Sequence, residues 1–460
     1  MNRVLLIVLT VLFTFSGVAQ DLTGKKLLKS ANALMKVDKD AEALDLLTKN
    51  YSSEDKLAPV ITLEIGKLYA EAKKLDSANW YLKLSEESGN SKNTEEIERV
   101  RNQVEKAKEL YQLEMLTGWR AFDKKDFVAA NLNFDAALIW DIGNYEVYQA
   151  KGEILAKEGE NRKAIKWYTQ ALTHYFHGNK EKAHAYEHLA DAQLSLGQGS
   201  HTINSCDLGL ELTPENKELF FLKARAYSIQ GLNSEANTYF IKVIRLQPDH
   251  VRSWFYCGES YFKMKDYPKA VKSLSTCLRY DSTYYEAYGV RGEANFAMEK
   301  YQDAKRDFEL FSFRVDSNDY AMNAAGICDF KSGNYQDAVK SFEQAVDLNP
   351  SKSYRYNLVR GYIANNQNKE ALVICEAIAQ SNRSDIRYNV VHVQSLMNLM
   401  RYKDAENYLN ESIDSNPYVL EYLELGVELF ELTGNKAASK NAESISGNLE
   451  VDRRNHDLRF

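Results

Sequence analysis

Small residues return along this chain at a fixed interval. Ala190, Ala224, Gly258, Gly292 and Gly326 follow one another every 34 residues, and steps of 33 or 34 continue through Val359, Val393 and Val427. Before Ala190 the same mark falls at Ala31, Gly66, Gly118 and Gly152. A second series lies twelve residues after each mark: Ala43, Ala78, Ala130, Ala164, Thr202, Ala236, Ala270, Ala304, Ala338, Ala371, Ala405 and Ser439. Two series in one register restrict the chain to a repeat array, in which no unit buries its apolar face except against its neighbours.

Each unit has room for two helices of about fourteen residues and a short polar turn such as MKDYPKA or MEKYQDA. In SWFYCGESYF, Trp254, Gly258 and Tyr261 stand at i, i+4 and i+7, on one helical face. Ala270, Leu274 and Cys277 do the same in the second helix. So short a turn makes the two helices antiparallel, and Gly258 and Ala270 are expected where they cross. A bulky side chain there would overpack the crossing, at about 1–3 kcal/mol. With only 6 Pro and 22 Gly among 460 residues, long helices are favoured over strands throughout. The predicted fold class is all-α.

WFYCGESYF followed by DYPKA resembles the tetratricopeptide repeat, whose pattern runs aromatic or Leu, Gly or Ala, Tyr, Ala, and a closing Pro. Pro214, Pro248, Pro350 and Pro417 stand at that closing place. The resemblance implies an α-solenoid, a right-handed superhelix of about twelve helical hairpins whose first helices line a concave groove. It covers residues 20–447, with 448–460 as a C-terminal tail; the last hairpin, with Lys436, Lys440, Asn441 and Glu443, has the polarity of a cap. The subgroup that grips chaperone C-termini carries an Asn where this chain has Glu259 and Glu293, so the resemblance does not extend to that subgroup.

Two insertions interrupt the register. Gly66 and Gly118 are 52 residues apart, and the extra segment, about 93–110, carries an apolar stripe of Ile97, Val100, Val104 and Ala107. It reads as an extension of the following helix or as one extra helix. Four extra residues between Gly152 and Ala190 read as a longer loop in THYFHGNKEK.

Residues 1–19 pair Arg3 with the apolar run Val4–Phe15 and end in Gly17 and Ala19, the pattern of a signal peptide cleaved before Gln20. A retained membrane anchor is the alternative. The pattern predicts export, to the periplasm in a Gram-negative cell, with no further span of apolar residues long enough to cross a membrane. A formal net charge of −7 argues against nucleic acid, which requires a basic face.

The sharpest catalytic pattern is HAYEH at 184–188, in which His184 and His188 would ligate zinc and Glu187 activate water, making the chain a zinc-dependent hydrolase. The repeat explains the same segment, since Tyr186 and Ala190 fall on repeat positions and no third ligand is evident. No cofactor fingerprint occurs, so no cofactor is expected. Cys206, Cys257, Cys277, Cys328 and Cys375 show no metal spacing and read as buried thiols, with a Cys257–Cys277 bridge as the alternative in an exported chain.

The stronger functional lead is a ladder of Phe262, Phe296 and Phe330, 34 residues apart, continued by Ile363 and Met397. In the resemblance these line the groove with Phe255, Tyr356, Arg225, Arg252, Lys263, Lys331 and Arg360, and would contact a protein or peptide partner. Aromatics at these places also pack between repeats. The reading is a non-enzymatic interaction scaffold of a cell-envelope complex; a groove for glycan or peptidoglycan, drawing on the 29 tyrosines, is a further alternative.

Overall fold

A computed structural model describes residues 24–89, 93–174, 176, 178–312, 318–381, 385–416 and 419–457. The segment read as a signal peptide and Pro417 lie outside them. Every described helix falls where the register places it: there are 24, alternating as first and second helices of hairpins, from Gly24–Met35 and Asp40–Lys49 to Leu420–Leu432 and Lys436–Asp457. That last helix runs through position 447, where the repeat was expected to end.

The mark glycines are small because a ring or branched side chain lies against them. A Cβ on Gly118 would stand 2.4 Å from the Phe134 ring, on Gly152 2.5 Å from Tyr168, and on Gly258 2.6 Å from Leu274. The large residue sixteen positions after each mark therefore fills the space its glycine vacates, and Phe134, Tyr168 and Leu274 are buried.

One residue in each intra-hairpin turn has a left-handed backbone, seven positions after the mark: Asp38, Lys73, Lys125, Lys265, Glu299, Asn366 and Met400, and otherwise Gly159, Gly197, Gly231, Gly333 and Gly434. That conformation ends the first helix and lets the chain reverse. At Lys265, for example, its N–H donates to Phe262 O at 2.8 Å and the N–H of Asp266 to Tyr261 O at 2.9 Å.

The chain forms two compact units, Met1–Leu232 and Asn233–Phe460. The boundary falls in the turn between helices Lys217–Ile229 and Asn233–Leu246.

In the first unit, the insertion at 93–110 is continuous with the helix that follows, giving one helix of 30 residues, Thr94–Asp123. Its stripe of Ile97, Val100 and Val104 packs on Leu63, Leu75, Ala78 and Leu82 of the second hairpin. The second insertion corrects the expectation of a longer loop alone. Helix Asn161–Ala171 stops at 11 residues and helix Asn179–Ser195 starts a turn early, at 17 residues, whereas Tyr267–Tyr280 has 14 and Val251–Lys263 has 13.

The second hairpin is also held by its turn. Ile142 N–H donates to Lys73 O at 2.9 Å, and the Asp141 carboxylate accepts from Gly143 N at 3.0 Å and Leu75 N at 3.4 Å. Burial pushes the Asp141 carboxyl up to about 6, against the pull of those two N–H groups. A carboxyl that holds its proton more tightly when folded adds stability below its unfolded value and loses it as pH rises through the folded one. The rise corresponds to roughly 3 kcal/mol lost between about pH 4 and pH 7. Asp141→Asn keeps an acceptor for both N–H groups, so the first unit should gain about 1–3 kcal/mol at pH 8 and little at pH 4. Urea midpoints at the two pH values measure this; equal gains at both, or a loss at pH 8, would refute it.

Candidate functional site

In the second unit, three successive first helices, Asp319–Lys331, Lys352–Ala364 and Ile386–Asn398, place aromatic rings and guanidinium groups in alternation. Arg360 lies over the Phe330 ring at 4.9 Å and over Tyr356 at 5.8 Å. Arg387 lies over Tyr356 at 5.4 Å, and Tyr356 meets Tyr388 edge-on at 5.7 Å. A guanidinium laid on a ring keeps its N–H donors in its own plane, open to a bidentate acceptor. Arg387 spends that capacity on Asp385, at 3.1 Å. Arg360 is exposed, and among the described residues no carboxylate pairs with it. Lys331, beside Phe330, is exposed in the same way.

The structure therefore brings together three of the residues singled out from the sequence, Phe330, Tyr356 and Arg360, with Lys331 alongside. It adds Arg387, which sequence reading missed although Arg387 occupies the register position of Arg252.

The remaining residues are placed otherwise. Phe262, Phe296 and Phe330 each pack on the tyrosine that opens the second helix of their own hairpin, with centroids 5.8 Å from Tyr267, 5.4 Å from Tyr301 and 5.4 Å from Tyr335. Each is half-buried, locking a turn. Phe255 is buried in the core and packs against Tyr284 at 4.9 Å, and Met397 is buried too, so neither is open to a ligand. Burial overrides their groove register because the next hairpin covers them. Lys263 is paired with Glu259 at 2.8 Å. Arg225 lies in the first unit and Arg252 in the second, and both engage neighbours.

The HAYEH segment lies on helix Asn179–Ser195. His188 Nε2 faces Glu153 Oε1 at 3.4 Å, and Glu187 Oε1 accepts from Asn216 Nδ2 at 2.5 Å. His184 Nε2 is 3.8 Å from Glu187 Oε2. Burial holds the His188 imidazole down at about 4 and raises the Glu153 carboxyl. Among the described residues no three His, Cys, Asp or Glu side chains are grouped as metal ligands. All five cysteines are free and buried, Cys257 and Cys277 included, and burial pushes the Cys257 thiol up to about 12.

Paired antiparallel helices in a fixed register, stacked on one another within each unit, define an α-helical repeat scaffold. Family models described as tetratricopeptide repeat match residues 145–173, 221–276, 290–353 and 329–391. Over these residues the chain is built of tetratricopeptide repeats, a class of protein-interaction scaffolds that are generally non-enzymatic. No described helix is long and apolar enough to cross a membrane.

Among curated proteins, the chain is 28 % identical to sperm-associated antigen 1 of Mus musculus over 102 residues, 22 % of this chain and 11 % of that protein. It is 30 % identical to RNA polymerase II-associated protein 3 of Mus musculus over 115 residues, 25 % of this chain and 17 % of that one. The chain thus spans less than a fifth of either relative's length.

Among solved structures, it is similar to the C-terminal part of a TPR repeat-containing protein from Cytophaga hutchinsonii, with TM-score 0.45, 17 % identity, and coverage of 52 % of this chain and 98 % of that one. A tetratricopeptide repeat protein from Parabacteroides merdae gives TM-score 0.41 and 19 % identity over 54 % and 98 % of the two chains. YrrB, described as a TPR protein with an unusual peptide-binding site, gives TM-score 0.37 and 19 % identity over 41 % and 94 %.

Proposed function

We propose that this chain is an exported scaffold of the cell envelope that captures an acidic segment of a partner protein on the first helices of its second unit. The observation that carries the site is Arg360, stacked on Phe330 and Tyr356 and left without a carboxylate partner among the described residues. Its in-plane donors suit a carboxylate, the rings beneath hold it in place, and Lys331 adds a second positive charge. Export rests on the Arg3, Val4–Phe15, Ala19 pattern, and the envelope role on export together with the scaffold class.

The test is crosslinking capture from the envelope fraction of the host, with wild type and Arg360→Ala compared, followed by titration of the captured partner. Arg360→Ala should weaken that partner by about 10- to 100-fold, the range for a hydrogen bond to a charged group. It should leave the melting curve unchanged, because Arg360 is exposed. Unaltered affinity would remove the site from the proposal, and recovery of the chain from the cytosol alone would remove the envelope role.

A further inference from the structure

The early start of helix Asn179–Ser195 builds a second site, in the first unit. A cavity of about 280 Å³ lies between helix Tyr145–Lys157, helix Asn179–Ser195 and the cap residue Asn216. Lys180 and Glu181, both from the added turn, line it, so the insertion supplies a wall that the other repeats lack.

Two features define what the cavity can hold. Gln149 lines it, only 9 % exposed, and its amide nitrogen is buried with no hydrogen-bond partner. A buried donor left unpaired costs about 1–3 kcal/mol, so an occupant that supplies an acceptor there is favoured. The second feature is charge. The lining carboxylates are Glu181 and Glu187, against the single ammonium of Lys180, with the His184 imidazole beside Glu187. Asn216 fixes one oxygen of Glu187 and leaves its other oxygen toward His184. On the remaining side stands Tyr145, its ring stacked on Phe176 at 4.1 Å.

We infer that this cavity binds the α-amino end of a polypeptide chain. The ammonium sits against the Glu181 and Glu187 carboxylates, the first carbonyl oxygen accepts from Gln149 Nε2 once a turn of that side chain brings its buried amide to the cavity wall, and the first side chain lies on Tyr145. A cation alone would satisfy the carboxylates and leave Gln149 unpaired. A lysine side chain has no carbonyl close to its ammonium, whereas the α-amino end of a chain carries both groups within one residue. A space of this volume suits one or two residues, below the usual range for larger ligands.

The site is independent of the Arg360 stack, and its test uses the full chain. The probes are the peptide Phe-Ala-Ala-Lys, labelled with a fluorophore on its C-terminal lysine, the same peptide N-acetylated, and an N-acetylated Lys-Ala-Ala-Lys labelled at the same place. Anisotropy titration should show the free-amine peptide binding at least tenfold more tightly than either acetylated one. Gln149→Met, which keeps the side-chain length and removes the donor, should lower free-amine binding about tenfold with an unchanged far-ultraviolet spectrum. Equal binding of free and acetylated Phe peptides by wild type would overturn the proposal whatever the variant does. So would no binding by the free peptide at millimolar concentration. Tighter binding of the acetylated Lys peptide would assign the cavity to a lysine side chain instead.

Discussion

Arg291→Met is expected to destabilise the repeats around residues 285–312 by about 3–5 kcal/mol. Arg291, on helix Tyr285–Ala297, donates from Nε and Nη2 to the two oxygens of Asp307, at 3.0 and 2.6 Å, and from Nη1 to Ser275 Oγ at 3.0 Å. Asn295 adds a bond to the same carboxylate at 3.1 Å. The Asp307 side chain is 5 % exposed, so removing the guanidinium strands a charge that water reaches poorly. Met fills nearly the same length, so the loss is electrostatic rather than a cavity. Arg291→Met with Asp307→Leu should recover most of the stability, because a buried pair replaced whole by apolar groups is often neutral.

Urea unfolding with hydrogen exchange read over residues 285–312 separates the cases. A double variant as unstable as the single one would mean that the pair is not what holds these helices. The effect should stay local, since stability in a stacked array is summed from neighbouring interfaces. The same register position, one before the mark, is a cation in alternate hairpins: Lys151 pairs with Asp135 at 2.5 Å, and Lys223 pairs with Asp207.

Val100→Asp should release the first two hairpins while leaving the later repeats of the first unit folded. Val100 is 4 % exposed, between Ile97 and Val104 on the extended part of helix Thr94–Asp123, and the cluster it belongs to joins that helix to the second hairpin. An aspartate there buries a charge with no partner, a loss of several kcal/mol at the contact that joins the second hairpin to helix Thr94–Asp123. Limited proteolysis should cut residues 24–89 rapidly in the variant and leave a fragment starting near 94. Protection of residues 24–89 equal to wild type would show that the contact of Lys73 and Leu75 with residues 141–143 suffices alone.

Much of this architecture is legible in the residues. The marks from Ala31 to Val427 place each first helix, and the Ala43 to Ser439 series each second one, because a helix of given length must return its small face at the crossing. The stripe Ile97, Val100, Val104 announced a buried helical face, though not whether its helix was separate. That depended on residues 108–113 remaining helical between two apolar faces, and no Gly or Pro intervenes to break them. The extra residues near 175 were harder to read. Their effect is divided between a helix shortened at Ala171 and one lengthened from Asn179, and neither boundary carries a cap side chain that would announce it.

The candidate site was half legible. Phe330, Tyr356 and Arg360 stood out by register, but Phe255 shares the register of Tyr356 and is buried, while Arg387 was passed over. A position on a first helix says which way a side chain leaves its backbone, not what the next hairpin lays over it. Arg360 finds its ring on Phe330, thirty residues earlier in the chain and in another hairpin.

By itself, then, the sequence determined the hairpins, their number and their small crossings, since these follow from helical period and side-chain size within one unit. Only the tertiary structure decided which cation meets which ring or carboxylate, where the array divides into two units, and that the added turn at Asn179 walls a cavity around Gln149. Those outcomes depend on stacking between successive hairpins, where residues distant in sequence compete for the same space and the same hydrogen bonds.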